Sequence, residues 1–162
     1  MFGFGKNEKV LMDDKALYAP ISGKIFKIED CSDYVFSQKI IGDGFAIEPT
    51  DGKIAAPVSG TVTLAQGHAV GLTRADGLEV LLHIGVDTVT LNGSPYQLTV
   101  KVDDVVDGGA EIGRVDLAEI EAAGFEKTAM IVFTNTADKL ADFTVNYGEA
   151  AAAEKIGQAN VK

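Results

Sequence analysis

Ala19-Pro20-Ile21-Ser22-Gly23-Lys24-Ile25 returns 37 positions later as Ala56-Pro57-Val58-Ser59-Gly60-Thr61-Val62. Four of the seven positions are identical and two more keep apolar character, so one structural unit is used twice. In each copy Pro and Gly punctuate the chain just before a β-prone run, the composition of a turn that feeds a strand. A second pair, Val106-Asp107-Gly108-Gly109 and Val145-Asn146-Tyr147-Gly148, shares Val-x-x-Gly at a spacing of 39 and reads as the other end of the same unit. Two interlocked copies of one β motif are expected, each supplying strands that the other completes.

Outward from the repeat, short alternating or apolar runs predict strands at Lys24–Ile28, Gly44–Glu48, Thr61–Leu64, Ala69–Thr73, Glu79–His83, Tyr96–Lys101, Ala129–Phe133 and Phe143–Val145. Gly42-Asp43-Gly44, Asp51-Gly52, Asp76-Gly77 and Asn92-Gly93 supply the turns between them. Two short helices are predicted, Asp33–Ile40 and Leu117–Ala123, with Asp33 and Asp116 as N-caps and Gly124 past the second. The fold class is all-β: an antiparallel β-sandwich or flattened barrel built from a duplicated hybrid motif, with one or two short helices. Residues 1–15 read as a mobile N-terminal segment, 16–148 as the domain, and 149–162 as a C-terminal strand or tail, because Ala150–Ala153 carries no strand pattern.

The chain of 162 residues is long enough for one real core, and 46% apolar residues with 18 glycines against 4 prolines suit a globular chain with many tight turns. Fourteen basic and 24 acidic residues give a net charge of −10, which repels a phosphate backbone and favours a small basic protein as partner. Nucleic-acid binding is thereby set aside. Cys31 is the single cysteine, so there is no intramolecular disulfide and no CxxC motif, and a cytoplasmic location is expected. Met1–Lys6 lacks the apolar core of a signal peptide, and no stretch approaches the ~20 apolar residues of a membrane span.

Two histidines are present, His68 and His83, both read as lying in strands. A lone strand histidine is usually structural. Here, however, Gly77-Leu78-Glu79-Val80-Leu81-Leu82-His83-Ile84-Gly85-Val86-Asp87-Thr88-Val89 sets a titratable ring between three apolar residues and an Ile-Gly step, and the glycine permits close approach of backbone or ligand. This segment resembles the signature of the glucose-type IIA family of the sugar phosphotransferase system (EIIA type 1). The family pattern is Gly, two variable positions, three apolar residues, His, apolar, Gly, apolar, variable, Thr, apolar, and all thirteen positions fit. The likeness extends through both Ala-Pro-x-Ser-Gly copies, Asp33-Tyr34-Val35-Phe36, Gly42-Asp43-Gly44, His68-Ala69-Val70-Gly71 and Val115-Asp116-Leu117.

The resemblance implies a phosphoryl relay from the phosphocarrier HPr to the IIB domain of a membrane sugar permease. His83 is then the phosphoacceptor, attacking through Nε2 while the Gly85 carbonyl holds Nδ1–H. Imidazole suits this task because its ordinary pKa of ~6.5 leaves it mostly neutral at cytoplasmic pH. His68 supports the phosphoryl group and its transition state. The family often has Thr two residues before the partner histidine, and this chain has Gln66 there. Gln66 either accepts Nδ1–H from His68 or points to solvent, and the first is expected. Asp33, Tyr34, Val35, Phe36, Ile40, Ile41, Leu64, Val80, Leu81, Asp87 and Val89 fall at positions that frame the histidines in the family. Any one of the apolar positions reads equally well as core, and Phe36 is the candidate exposed anchor. Asp33 and Asp87 would pair with arginines of HPr. No cofactor is implied beyond covalent phosphate on His83, with adventitious zinc on the two rings as a side reaction. Membrane contact would come only through the permease.

Three other readings compete. Asp14-Lys15-Ala16 looks like a lipoyl attachment site, yet only fourteen residues precede the lysine where a half-sheet is needed. A LytM-type zinc peptidase shares an apolar strand ending in His but requires one more histidine than this chain has. A IIA-like regulatory protein would keep the phosphorylation site and use it to control transporters or enzymes. The sugar served is not legible, because specificity resides in the permease.

Overall fold

The computed structural model describes residues 9–162, apart from the side chains of Val89 and Thr90. Of the expected mobile N-terminal segment, residues 1–8 lie outside the described residues. In chain order the strands are Ala16–Tyr18 (β1), Gly23–Lys27 (β2), Asp43–Pro49 (β3), Lys53–Ala55 (β4), Gly60–Gln66 (β5), Ala69–Thr73 (β6), Glu79–Ile84 (β7), Tyr96–Leu98 (β8), Val105–Val106 (β9), Glu111–Val115 (β10), Ala129–Phe133 (β11), Leu140–Val145 (β12), Gly148–Ala150 (β13) and Lys155–Val161 (β14). Three short helices accompany them, Tyr34–Ser37 (α1), Leu117–Ala122 (α2) and Thr136–Lys139 (α3). An eight-stranded antiparallel sheet runs β13-β2-β3-β11-β7-β6-β5-β9, and two three-stranded sheets, β1-β14-β12 and β4-β10-β8, complete the all-β fold.

The duplication is explicit in the hydrogen bonds. Tyr18 N–H donates to the Pro57 carbonyl at 2.9 Å, and its counterpart 37 positions on, Ala55 N–H, donates to the Pro20 carbonyl at 2.7 Å. The two Ala-Pro corners therefore hold each other reciprocally. Gly23 pairs with Ala150 across β2 and β13, while the equivalent Gly60 pairs with Val106 across β5 and β9. Val106–Gly109 thus corresponds to Ala150–Ala153, 44 positions on, and not to Val145–Gly148 as the Val-x-x-Gly spacing suggests. Matching bonds agree: Gly109 N–H donates to Ala56 C=O and Ala153 N–H to Ala19 C=O, both at 2.8 Å. β14 is the second copy of β10, seated centrally between β1 and β12. The sequence hides it because four alanines replace the Val-Asp-Gly-Gly turn.

That replacement leaves a strained residue. Gly109 has φ +85°, and its counterpart Ala153 has φ +75°, a left-handed conformation that costs a residue with a Cβ about 1–2 kcal/mol. Ala153→Gly is expected to raise stability by about 0.5–1 kcal/mol after the extra chain entropy of glycine is deducted. Urea denaturation measures this, and a lower midpoint with an unchanged slope would show that the alanine methyl outweighs the strain.

Alternation sets which side chains face inward. On β7, Val80, Leu82 and Ile84 enter the main core with Ile25, Phe45, Leu72, Ile131 and Phe133, while Glu79, Leu81 and His83 face the other way. β11 is buried on both faces because Met130 and Val132 lie under a second cluster formed by Ile28, Cys31, Phe36 and Ala46. The segment that covers this outer face turns on α1, whose N-cap is Asp33: its carboxylate accepts from the N–H groups of Val35 and Phe36. Asp116 caps α2 in the same way through Glu119 N–H, and Gly124 follows it at φ +85°. Within the expected N-terminal segment, Asp14 accepts hydrogen bonds from Tyr18 Oη at 2.7 Å and Ser59 Oγ at 3.2 Å, which anchors it to both repeats.

Candidate functional site

His83 is fixed by its backbone in the middle of the large sheet, opposite Met130 of β11 and Ala69 of β6. His68 is not inside a strand: it occupies the Gly67–His68 turn of the β5–β6 hairpin, where Gln66 pairs with Ala69 and Gly67 has φ +42°. Ile84 N–H donates to the His68 carbonyl at 2.8 Å, fastening this turn to the end of β7. The two rings consequently meet, with centroids 5.0 Å apart and planes at 75°. Phe36 lies against the other side of His83 at 5.1 Å. A depression of about 270 Å³ opens over the pair, lined by Asp33, Phe36, His68, His83, Asp87 and Thr88. Another depression, about 340 Å³ beside Ser94, Arg114 and Glu119, is lined by no histidine or cysteine among the described residues.

Nδ1 of His83 is buried, and among the described residues no partner meets it with full hydrogen-bond geometry. The Gly85 carbonyl is nonetheless near enough to strengthen the ring's hold on a proton. Gly85 has φ +90°, and a Cβ there would come within 2.5 Å of the Thr88 side chain, so the tight approach requires glycine. Burial and then the neighbouring His68 push the His83 pKa down, opposed by Asp33, Gly85 C=O and Asp87. Burial alone lowers that of His68. Both rings are therefore neutral at pH 7, as a nitrogen nucleophile requires.

A pH dependence follows. Between the ordinary value near 6.5 and the lowered folded values, the unfolded chain binds protons that the folded rings refuse. The histidine contribution to stability is thus greatest above about pH 6.5 and is lost as pH falls through that window. NMR titration of the two rings is expected to give midpoints below 6.5, and His83 at or above 6.5 would contradict the burial argument.

Of the expected docking positions, Tyr34, Val35 and Ile40 are exposed, Ile41, Leu64 and Leu81 are half-buried, and Asp87, which lines the depression, is exposed at φ +61°. Phe36 is only 5% exposed, so it is not the expected exposed anchor: cluster packing under α1 draws it against His83. Val80, at 1%, belongs to the main core, since it lies on the inward face of β7, and it cannot dock a partner. The side chain of Val89 lies outside the described residues. Gln66 is exposed, and no hydrogen bond joins it to His68 among the described residues. The turn directs the His68 ring toward β7 and leaves Gln66 at the end of β5 in solvent, so the expected amide orientation of His68 is absent. Sequence reasoning did not find Tyr96, whose ring stands 6.4 Å from His68. No local pattern announces it, because it meets the site only through tertiary contact.

The fold and site define a duplicated β-sandwich carrying a neutral histidine pair on the outer face of its large sheet. The family described as "phosphoenolpyruvate-dependent sugar phosphotransferase system, EIIA 1" matches residues 15–139, and the chain belongs to it. It is 41% identical over 150 residues to the glucose-specific EIIA component of Staphylococcus aureus, covering 91% of this chain and 89% of that protein. It is 45% identical over 121 residues to the glucose-specific EIICBA component of Streptococcus pneumoniae, covering 74% of this chain and 17% of that one. Among solved structures, glucose permease IIA from Mycoplasma capricolum superposes with a TM-score of 0.74 at 34% identity, covering 94% of this chain and 98% of that one. The protein is a phosphotransferase, a phosphoryl-relay component of the sugar phosphotransferase system. Among the described residues, no helix is long and apolar enough to cross a membrane, and no group of three or more His, Cys, Asp or Glu is placed to hold a metal ion.

Proposed function

We propose that His83 accepts the phosphoryl group of phospho-HPr and passes it to the IIB domain of a sugar permease, in the cytoplasm. The observation that carries this reading is the neutral His83 ring, its Nδ1 end buried beside Gly85, standing 5.0 Å from His68 in an open depression. The Nε2 lone pair forms a bond to phosphorus as the donor N–P bond breaks, and the electron pair of that bond returns to the donor imidazole. In the second step a nucleophile of IIB forms a bond to phosphorus as the Nε2–P bond of His83 breaks, and that electron pair returns to the His83 ring. A ring N–H of His68 offers a hydrogen bond to the transferring oxygens, which is where preorganised donors act most strongly. Asp33 and Asp87 give the rim negative charge, and the exposed Tyr34 and Val35, between Asp33 and Phe36 in the chain, add apolar surface suited to a basic partner with an apolar contact patch.

Relatives carry glucose in their names, and one, from Dickeya chrysanthemi, carries beta-glucoside. Incubation with phosphoenolpyruvate, Enzyme I and HPr is expected to place one acid-labile phosphate on His83. Pairing the labelled protein with glucose and β-glucoside permeases then identifies the sugar. Label that forms elsewhere, or none at all, would overturn the assignment.

A further inference from the structure

Ile84 joins the two histidines. Its N–H is bound to the His68 carbonyl, and its own carbonyl is the focus of a buried hydroxyl pair. Tyr96 Oη lies 2.6 Å from the Ile84 carbonyl and 2.7 Å from Thr88 Oγ1, and Thr88 Oγ1 lies 3.3 Å from the same carbonyl. Each hydroxyl has one proton. Either Tyr96 donates to the carbonyl and receives from Thr88, or Thr88 donates to the carbonyl and receives from Tyr96, so the chain ends on Ile84 C=O in both arrangements.

The ring of Tyr96, 8% exposed, does more than carry this hydroxyl. It stands edge-on to His68 at 6.4 Å and 61°. A Cβ on Gly67, in the His68 turn, would sit 3.4 Å from its Cδ2, and one on Gly85 would sit 3.1 Å from its Oη. The same side chain therefore underlies the turn that presents His68 and the turn that presents the Gly85 carbonyl to His83. Burial raises the phenol's pKa, so it remains a donor throughout the working range.

We propose that Tyr96 is a positioning residue for phosphoryl transfer: its hydroxyl pins the Ile84–Thr88 turn behind His83 while its ring backs His68, which sets the distance between the imidazoles and the tautomer of His83. This rests on the assignment of His83 as nucleophile. In Tyr96→Phe the ring remains and, among the described residues, the 3.3 Å Thr88 contact is the hydroxyl contact left on Ile84 C=O. The expected result is transfer from phospho-HPr slowed about five- to tenfold, the scale of one net hydrogen bond, in kcat and not in KM, since Tyr96 is buried away from the partner. ¹⁵N imidazole spectra of the unphosphorylated variant should show a reduced Nδ1–H population on His83. Tyr96→Leu should in addition shift the His68 ring signals, and the Phe variant keeps the test intact if the Leu variant does not fold. Wild-type kcat and wild-type ¹⁵N signals in Tyr96→Phe, with only a lower melting temperature, would overturn the proposal. The spectra need no phosphate donor, so they test Tyr96 separately from the transfer assignment, which fails instead if the unaltered protein takes no phosphate on His83.

Discussion

His83→Ala is expected to abolish phosphate uptake from phospho-HPr while the protein stays folded. The chemistry is lost because alanine has no lone pair to attack phosphorus, and His68, held in a hairpin turn, lies a ring's distance away with Ile84 N–H bound to its carbonyl. The fold survives because the core contribution of β7 comes from Val80, Leu82 and Ile84 on its other face, and the pairing of residue 83 with Met130 and Ala69 is made by backbone. Truncation also removes a buried nitrogen that lacks a full partner, which offsets part of the lost contact with Phe36. Labelling with phosphoenolpyruvate, Enzyme I and HPr, together with circular dichroism and thermal melting, checks both halves. Acid-labile phosphate on the folded variant would remove His83 from its role.

His68→Ala is expected to slow transfer by roughly 10²–10³, the cost of deleting one preorganised donor aimed at developing charge. Among the described residues no lysine or arginine lines the depression, so the ring has no cationic substitute there. Thr88 cannot replace it, because its hydroxyl is engaged with Ile84 and Tyr96. The loss should appear in transfer from HPr and in transfer to IIB, since both pass through the same phosphoryl geometry. Rapid-quench rates equal to wild type in both directions would show that His68 only shapes the hairpin.

The histidine motif was legible because its chemistry is local: the ring, the apolar run before it and Gly85 after it are consecutive residues, and φ +90° at Gly85 is a property of that one position. The helix caps were legible for the same reason, each carboxylate bonding N–H groups two or three residues on. Strand existence followed from alternation, whereas β14 did not, since alanines at 150–153 mask a turn that glycines mark in the other copy. The docking positions form one set in the sequence, and the structure divides them: Val80 turns inward with the core, Phe36 turns from α1 into the second cluster, and Tyr34, Val35 and Ile40 stay out.

The order of residues by itself determined that one β unit occurs twice, that the surface is acidic, and that a single histidine carries the family's motif. Each of these is a property of composition or of neighbours along the chain. The tertiary structure alone decided that the turn at His68 faces His83, that Gln66 does not reach its neighbour, and that Tyr96 lies against His68 and on the Ile84 carbonyl next to His83. These depend on which residues of β5, β6, β7 and β11 stand opposite one another. A shift of one residue in that register would send every side chain to the other face of the sheet.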